Sequence, residues 1–213
     1  YQVFFQGVFA DATIGGKDIS PLTGAVHVAT HVGGVNYYQL ATLDVKTSDT
    51  ADESDGDIVH VGGTALGTIT NVHTQGGDDH VVVGYVEPGD AQDLADPSKV
   101  YGTLDFVRGA LKLDLGKGSN ELIVSDHHSL VREKDVLIKD NSIRRLAPAV
   151  IHYKANDGGN FNGGITIRST RHNDCVTVES VLLTDLNVTS LYTGEGQDTV
   201  LSTSADNTAG SAP

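Results

Sequence analysis

The 213-residue chain has no Met, no Trp and a single Cys. One Cys cannot close an internal disulfide, so a disulfide-stapled scaffold is excluded. Cationic side chains are also scarce: 14 Lys and Arg stand against 28 Asp and Glu, a net charge of -14. A surface of that sign repels phosphate backbones and anionic headgroups, which argues against nucleic-acid and membrane-surface partners. No apolar run approaches the roughly 20 residues that span a bilayer, so membrane insertion is not expected. The missing Met and the start at Tyr1 lead to the expectation of an excised or mature segment of something longer. Residues 204–213 are small and polar and read as a linker-like tail.

What the chain does have is glycine, 25 residues of it, set between short β-type runs. These include Ala25–Val32, Asp57–Val61, His80–Val83, Leu111–Leu115, Glu121–Val124, Gly164–Arg168 and Cys175–Val178. Most alternate apolar with polar residues, the period of a half-buried strand. No segment makes a convincing helix; Val131–Lys139 reads equally as strand or irregular structure. The chain is therefore expected to be all-β.

The runs also repeat. Five stretches share a polar or Gly-containing turn, an Asp or Asn, a spacer, an aliphatic, a second spacer and another β-former. Their anchors are Asp57, Asp79, Asn120, Asp174 and Asp198, separated by 22, 41, 54 and 24 residues. The likeness extends beyond the turn, because Thr68–Val83 aligns without gaps against Asn187–Ser202. A unit of about 22 residues with two or three short strands suits one coil of a parallel β-helix, stacked on the next at about 4.8 Å. The expected architecture is one such domain over residues 1–203, with an irregular insertion near 126–145. A β-sandwich is the alternative. In the β-helix, Val59, Val61, Val81, Val83, Leu122, Val124, Val176 and Val178 point inward, while His60, Val82, Ile123 and Thr177 face out.

The stretches Gly63–Gly84 and Gly163–Val200, with Leu146–Gly164 between elements, resemble the repeats of large secreted bacterial β-strand-repeat proteins. These are acidic, adhesin-type surface proteins related to RTX calcium-binding repeats. The likeness covers about residues 57–202 and implies an extracellular or cell-surface, structural or adhesive role. Partners would then be neighbouring modules, other copies or a surface polysaccharide.

The same likeness raises calcium. Gly76, Gly77, Asp79 and Gly194, Gly196, Asp198 match the RTX-type turn, but no two nine-residue units stand in tandem. Gly supplies positive φ and Asp or Asn caps its own turn, which accounts for the motif without an ion. In-register stacking would bring the Asp57 and Asp79 carboxylates to about 4.8 Å, a repulsion of a few kcal/mol that a hard cation relieves. Asp57, Asp79 and Asp198 are therefore the candidate calcium ligands.

The nine histidines carry no metalloenzyme motif. His127 and His128 are the densest pair, and on a strand their side chains would face opposite ways. His27, His31, His60 and His80 read as outward strand positions. Cys175 is expected to pack in the core or against a neighbouring strand and has no nucleophile context. The enzymatic alternative is a polysaccharide lyase or hydrolase using Asp126, His127, His128, Arg132 and Lys134, but the chain offers few aromatics for sugar stacking. A non-enzymatic role is expected. Asn187-Val188-Thr189 forms an N-glycosylation triplet.

Overall fold

The structure is a computed structural model that describes residues 40–47, 56–86, 100–182 and 187–203, together with the backbone of five N-terminal strands. Those strands are β1 (Gln2–Gln6), β2 (Thr13–Ile14), β3 (Lys17–Asp18), β4 (Val26–Ala29) and β5 (Val32–Asn36). Then follow β6 (Thr42–Lys46), β7 (Ile58–Val61), β8 (Ile69–His73), β9 (His80–Val83), β10 (Leu111–Asp114) and β11 (Ser119–Ser125). The hairpin strands β12 (Val136–Lys139) and β13 (Ser142–Arg144) lie inside the 126–145 stretch. The last are β14 (Ile151–Lys154), β15 (Asn160–Arg168), β16 (Cys175–Val178), β17 (Thr189–Tyr192) and β18 (Thr199–Ser202). Among the described residues there is no helix.

The strands form two eight-stranded sheets and one small hairpin, β2–β3. The first sheet runs β17-β15-β11-β9-β7-β1-β5-β4, and the second β18-β16-β12-β13-β14-β10-β8-β6. From β6 to β11 the chain alternates between them, so strands that are neighbours in space are two apart in sequence. β7–β9–β11–β15–β17 and β6–β8–β10–β14 are all parallel.

This arrangement corrects the expected uniform parallel β-helix of about 22-residue coils. The chain makes two facing, mostly parallel sheets without a closed solenoid, a sandwich-like architecture. Antiparallel pairs interrupt both sheets: β1 with β7 and β5 in the first, β13 with β12 and β14 in the second. The regular interval fails for the same reason. Successive parallel partners such as His80 and Glu121 stand 41 residues apart, because β10 of the opposite sheet and the long β9–β10 connection lie between them in sequence.

The aligned segments Thr68–Val83 and Asn187–Ser202 also occupy opposite phases. The first leads from the second sheet into the first, the second from the first sheet into the second. Sequence similarity recorded a repeated strand–turn–strand, and the two sheets accept that unit in either order.

Alternation decides what is buried. Val59, Val61, Val81, Val83, Leu122, Val124, Ile165 and Ile167 of the first sheet meet Leu43, Val45, Val72, Leu111, Leu113, Ile138, Ile151, Tyr153 and Val176 of the second in one core. Val178 packs against that core only partly buried. Two residues expected outside are buried instead: Val82 and Ile123 are covered by Val100 on the outer face of the first sheet. Ser125 Oγ donates to the Val100 carbonyl at 2.8 Å and pins that cover. Thr177 and His60 are half-buried, and so is Cys175, beside Thr199 of β18. His31 and residues 204–213 lie outside the described residues, as does the side chain of His27.

Candidate functional site

The recurring Asp/Asn turns form hydrogen-bond ladders. The Asp57 N–H donates to Asp79 Oδ1 at 2.8 Å, and the Asp79 N–H donates to Asn120 Oδ1 at 3.0 Å. Asn120 Nδ2 in turn donates to the Asn160 carbonyl at 3.2 Å. On the other side of the sandwich the Leu104 N–H donates to Asp126 Oδ1 at 2.7 Å. There too the Glu133 N–H donates to Asp174 Oδ1, and the Asp174 N–H to Asp198 Oδ1, both at 2.9 Å. Each side chain thus satisfies a buried or partly buried backbone donor one rung earlier in the chain, a group that would be costly to leave unpaired. Close backbone stacking makes this possible. A Cβ on Gly56 would lie 1.8 Å from the Asp78 carbonyl oxygen, and one on Gly116, at φ 62, 1.7 Å from that of Gln75.

The candidate calcium ligands are therefore divided. Asp57 and Asp79 sit on adjacent rungs of the edge that enters the first sheet. Asp198 sits on the opposite edge with Asp174, entering the second sheet. Burial is the main force on Asp79, whose carboxyl is pushed up to about 7, with Asp57 and Asp78 adding repulsion. The Asp57 N–H and an approaching Thr74 hydroxyl act the other way. Neither Asp79 Oδ2 nor Thr74 Oγ1 completes a well-formed hydrogen bond. Among the described residues no group of three or more His, Cys, Asp or Glu side chains is placed to hold a metal ion.

The second cluster surrounds Asp126, His127 and His128. His127 and His128 occupy a turn directly after β11 rather than a strand, so both rings reach Tyr101, at centroid distances of 5.1 and 5.4 Å. Arg168 lies 5.0 Å from the Tyr101 ring centre and 5.6 Å from that of Tyr192. The order Tyr192, Arg168, Tyr101, His128 makes a stack of flat groups on the outer face of the first sheet. Beneath it Asp126 is only 1% exposed and its Oδ2 has no hydrogen-bond partner. Burial above all, then repulsion from Glu133, Asp105 and Asp174, pushes this carboxyl up to about 8. Glu133 is pushed up to about 7, again by burial first and then by Asp174 and Asp105. Burial holds His127 down at about 4.

Asp126 is thus enclosed, whereas Arg132 and Lys134 are exposed. The five residues considered for polysaccharide cleavage do not converge on one open surface. Asp174 stands out in the sequence as a recurring turn anchor, whereas Tyr101, Arg168, Tyr192 and Glu133 come from separate strands and turns and share no local motif. The signals pointing toward the cluster are the Asp126-His127-His128 triplet and the recurring Asp turn at Asp174. Asn187 also has a structural task, its Oδ1 accepting the Phe161 N–H at 3.1 Å.

No family model, characterised protein or solved structure matches this chain.

Proposed function

We propose that this chain is a structural and adhesive module of an extracellular, cell-surface or filament-forming assembly, which extends by strand pairing at its β17/β18 end. One observation carries the reading: β17 and β18 end the two sheets on the same side, and among the described residues neither has an outer neighbour. An edge strand presents alternate N–H and C=O groups to any chain that can pair with it. Apolar side chains accompany them, with Val188 63%, Val200 51% and Leu201 55% exposed. The turn ladders run in one direction, each N–H reaching a side chain on the following rung, and in the second sheet that order ends at Asp198. A neighbouring module or a second copy supplies the next rung. The extracellular placement rests on the likeness of the Gly/Asp turns to secreted β-strand-repeat proteins.

Light scattering across a concentration series tests this. The wild-type chain associates as concentration rises, and the double variant Val200→Lys/Leu201→Lys stays monomeric with an unchanged melting temperature. A wild-type chain that remains monomeric throughout would overturn the proposal, as would a double variant that associates equally well.

A further inference from the structure

In a chain of net charge -14, cations gather on one face. Strand register places Lys46, His73, Asp114 and Lys154 in one row across β6, β8, β10 and β14. A parallel row holds Asp44, Asn71, Lys112 and His152. The alternate row, Val45, Val72, Leu113 and Tyr153, is buried, so the two polar rows look out from the second sheet. Arg144 of the adjoining β13 is exposed there too; partial burial first, then Arg144 and Lys112, disfavour the protonated form of His152. At the end of the rows Lys46, His73 and Lys117 share an open cleft of about 190 Å³ with Asp114 and Asp157.

The carboxylates in these rows are already engaged. Asp44 Oδ1 accepts from Asn71 Nδ2 at 2.5 Å. Asp114 Oδ2 lies 3.1 Å from Lys154 Nζ and accepts from Asn156 Nδ2 at 2.7 Å. Among the described residues, Lys46, Lys112, Lys117 and Arg144 have no ion-pair partner. Parallel strands set the spacing across the rows at about 4.8 Å. The cations stand on β6, β10, β14 and β13, spread over about four such spacings, a reach that suits an extended polymer carrying several negative charges.

We propose that this outer face of the second sheet, built on Lys46, Lys112, Arg144 and Lys154, docks an acidic polysaccharide such as a polyuronate. The proposal rests on the adhesive reading above and names its target. Nucleic acid fits the face less well, because neither row carries a Tyr, Phe or Trp and only the small His73 and His152 rings could stack on a base. A second copy of this chain fits less well because most of its described carboxylates, among them Asp57, Asp79, Asp126, Asp174 and Asp198, lie in turns rather than on a matching plane.

Calorimetry of the full chain with polygalacturonate oligomers tests this at low and at physiological salt, with neutral dextran oligomers and duplex DNA as comparison ligands. The expected result is polyuronate binding that weakens as salt rises, with no dextran binding and weaker DNA binding. Lys112→Glu/Arg144→Glu then lowers affinity by at least about tenfold, whereas Arg108→Glu/Arg171→Glu, an equal charge change elsewhere, lowers it far less. Equal losses in the two variants overturn the assignment, as do equal binding of DNA or dextran and the absence of polyuronate binding. A wild-type chain that binds no polyuronate but still self-associates refutes this face alone; one that does neither refutes the adhesive reading as well.

Discussion

Replacing Asp126 with Asn tests the electrostatics of the turn edge. In the folded chain this carboxyl is almost fully buried and is pushed from 3.8 up to about 8. A raised carboxyl means that the folded state holds a proton the unfolded state has released, so stability is greatest below the unfolded value and is lost as pH rises through the folded one. Between about pH 6.5 and 8.5 the displacement of Asp126 alone corresponds to about 2 kcal/mol of lost stability, at 1.36 kcal/mol per pH unit. At the lower end of that window the unfolded chain still half-protonates His60 and His127, both held down at about 4 in the fold. Each therefore adds about 0.4 kcal/mol of opposite sign, a contribution common to wild type and variant that cancels in their comparison. Asn keeps the acceptor for the Leu104 N–H and resembles the protonated acid. Urea unfolding at the two pH values should show wild-type stability falling toward alkaline pH. In Asp126→Asn about 2 kcal/mol of that fall should disappear, the remainder coming from Asp79 and Glu133. If the variant keeps the full wild-type difference, the burial argument for Asp126 is wrong.

The other predictions concern the ladder and its backbone contacts. At about pH 5.5, where Asp79 is protonated, Asp79→Ala should be about 1–3 kcal/mol less stable than Asp79→Asn, because only Asn preserves an acceptor for the buried Asp57 N–H. Equal unfolding midpoints for the two variants would remove the ladder as a stabilising device. If the turns hold themselves together through these bonds, excess chelator at low ionic strength should leave the melting temperature unchanged; a drop of several degrees, restored by calcium, would show that an ion shares the edge. Gly116→Ala should destabilise by several kcal/mol, since the new methyl group would meet the Gln75 carbonyl oxygen at 1.7 Å in a backbone of φ 62. An unchanged midpoint in thermal unfolding would refute that close approach.

Local chemistry made part of the architecture legible. Alternation in Asp57–Val61, His80–Val83 and Glu121–Val124 located strands β7, β9 and β11 and picked out Val59, Val81, Leu122 and Val124 as buried. The recurrent Asp or Asn marked real hydrogen-bonding positions, because a turn needs a side-chain acceptor wherever a strand begins beside another. The same pattern misjudged Val82 and Ile123, since a strand's period distinguishes its two faces but does not say that a later segment, here at Val100, covers the outer one. The interval between anchors misled further, because a longer β9–β10 connection changes the spacing in sequence without changing which strands pair.

The sequence by itself determined composition-level chemistry and short-range form: an acidic, disulfide-free, strand-and-turn chain with glycine where backbones touch. Only the tertiary structure decided that Asp57 and Asp79 share an edge while Asp198 stands on the other, and that His127 and His128 face the same ring. It also decided that Lys46, Lys112, Arg144 and Lys154 share a plane. The reason is physical: φ/ψ preference and side-chain period act over a few residues, whereas pairing between β8 and β10 or β11 and β15 joins positions some 40 residues apart, which no local pattern encodes.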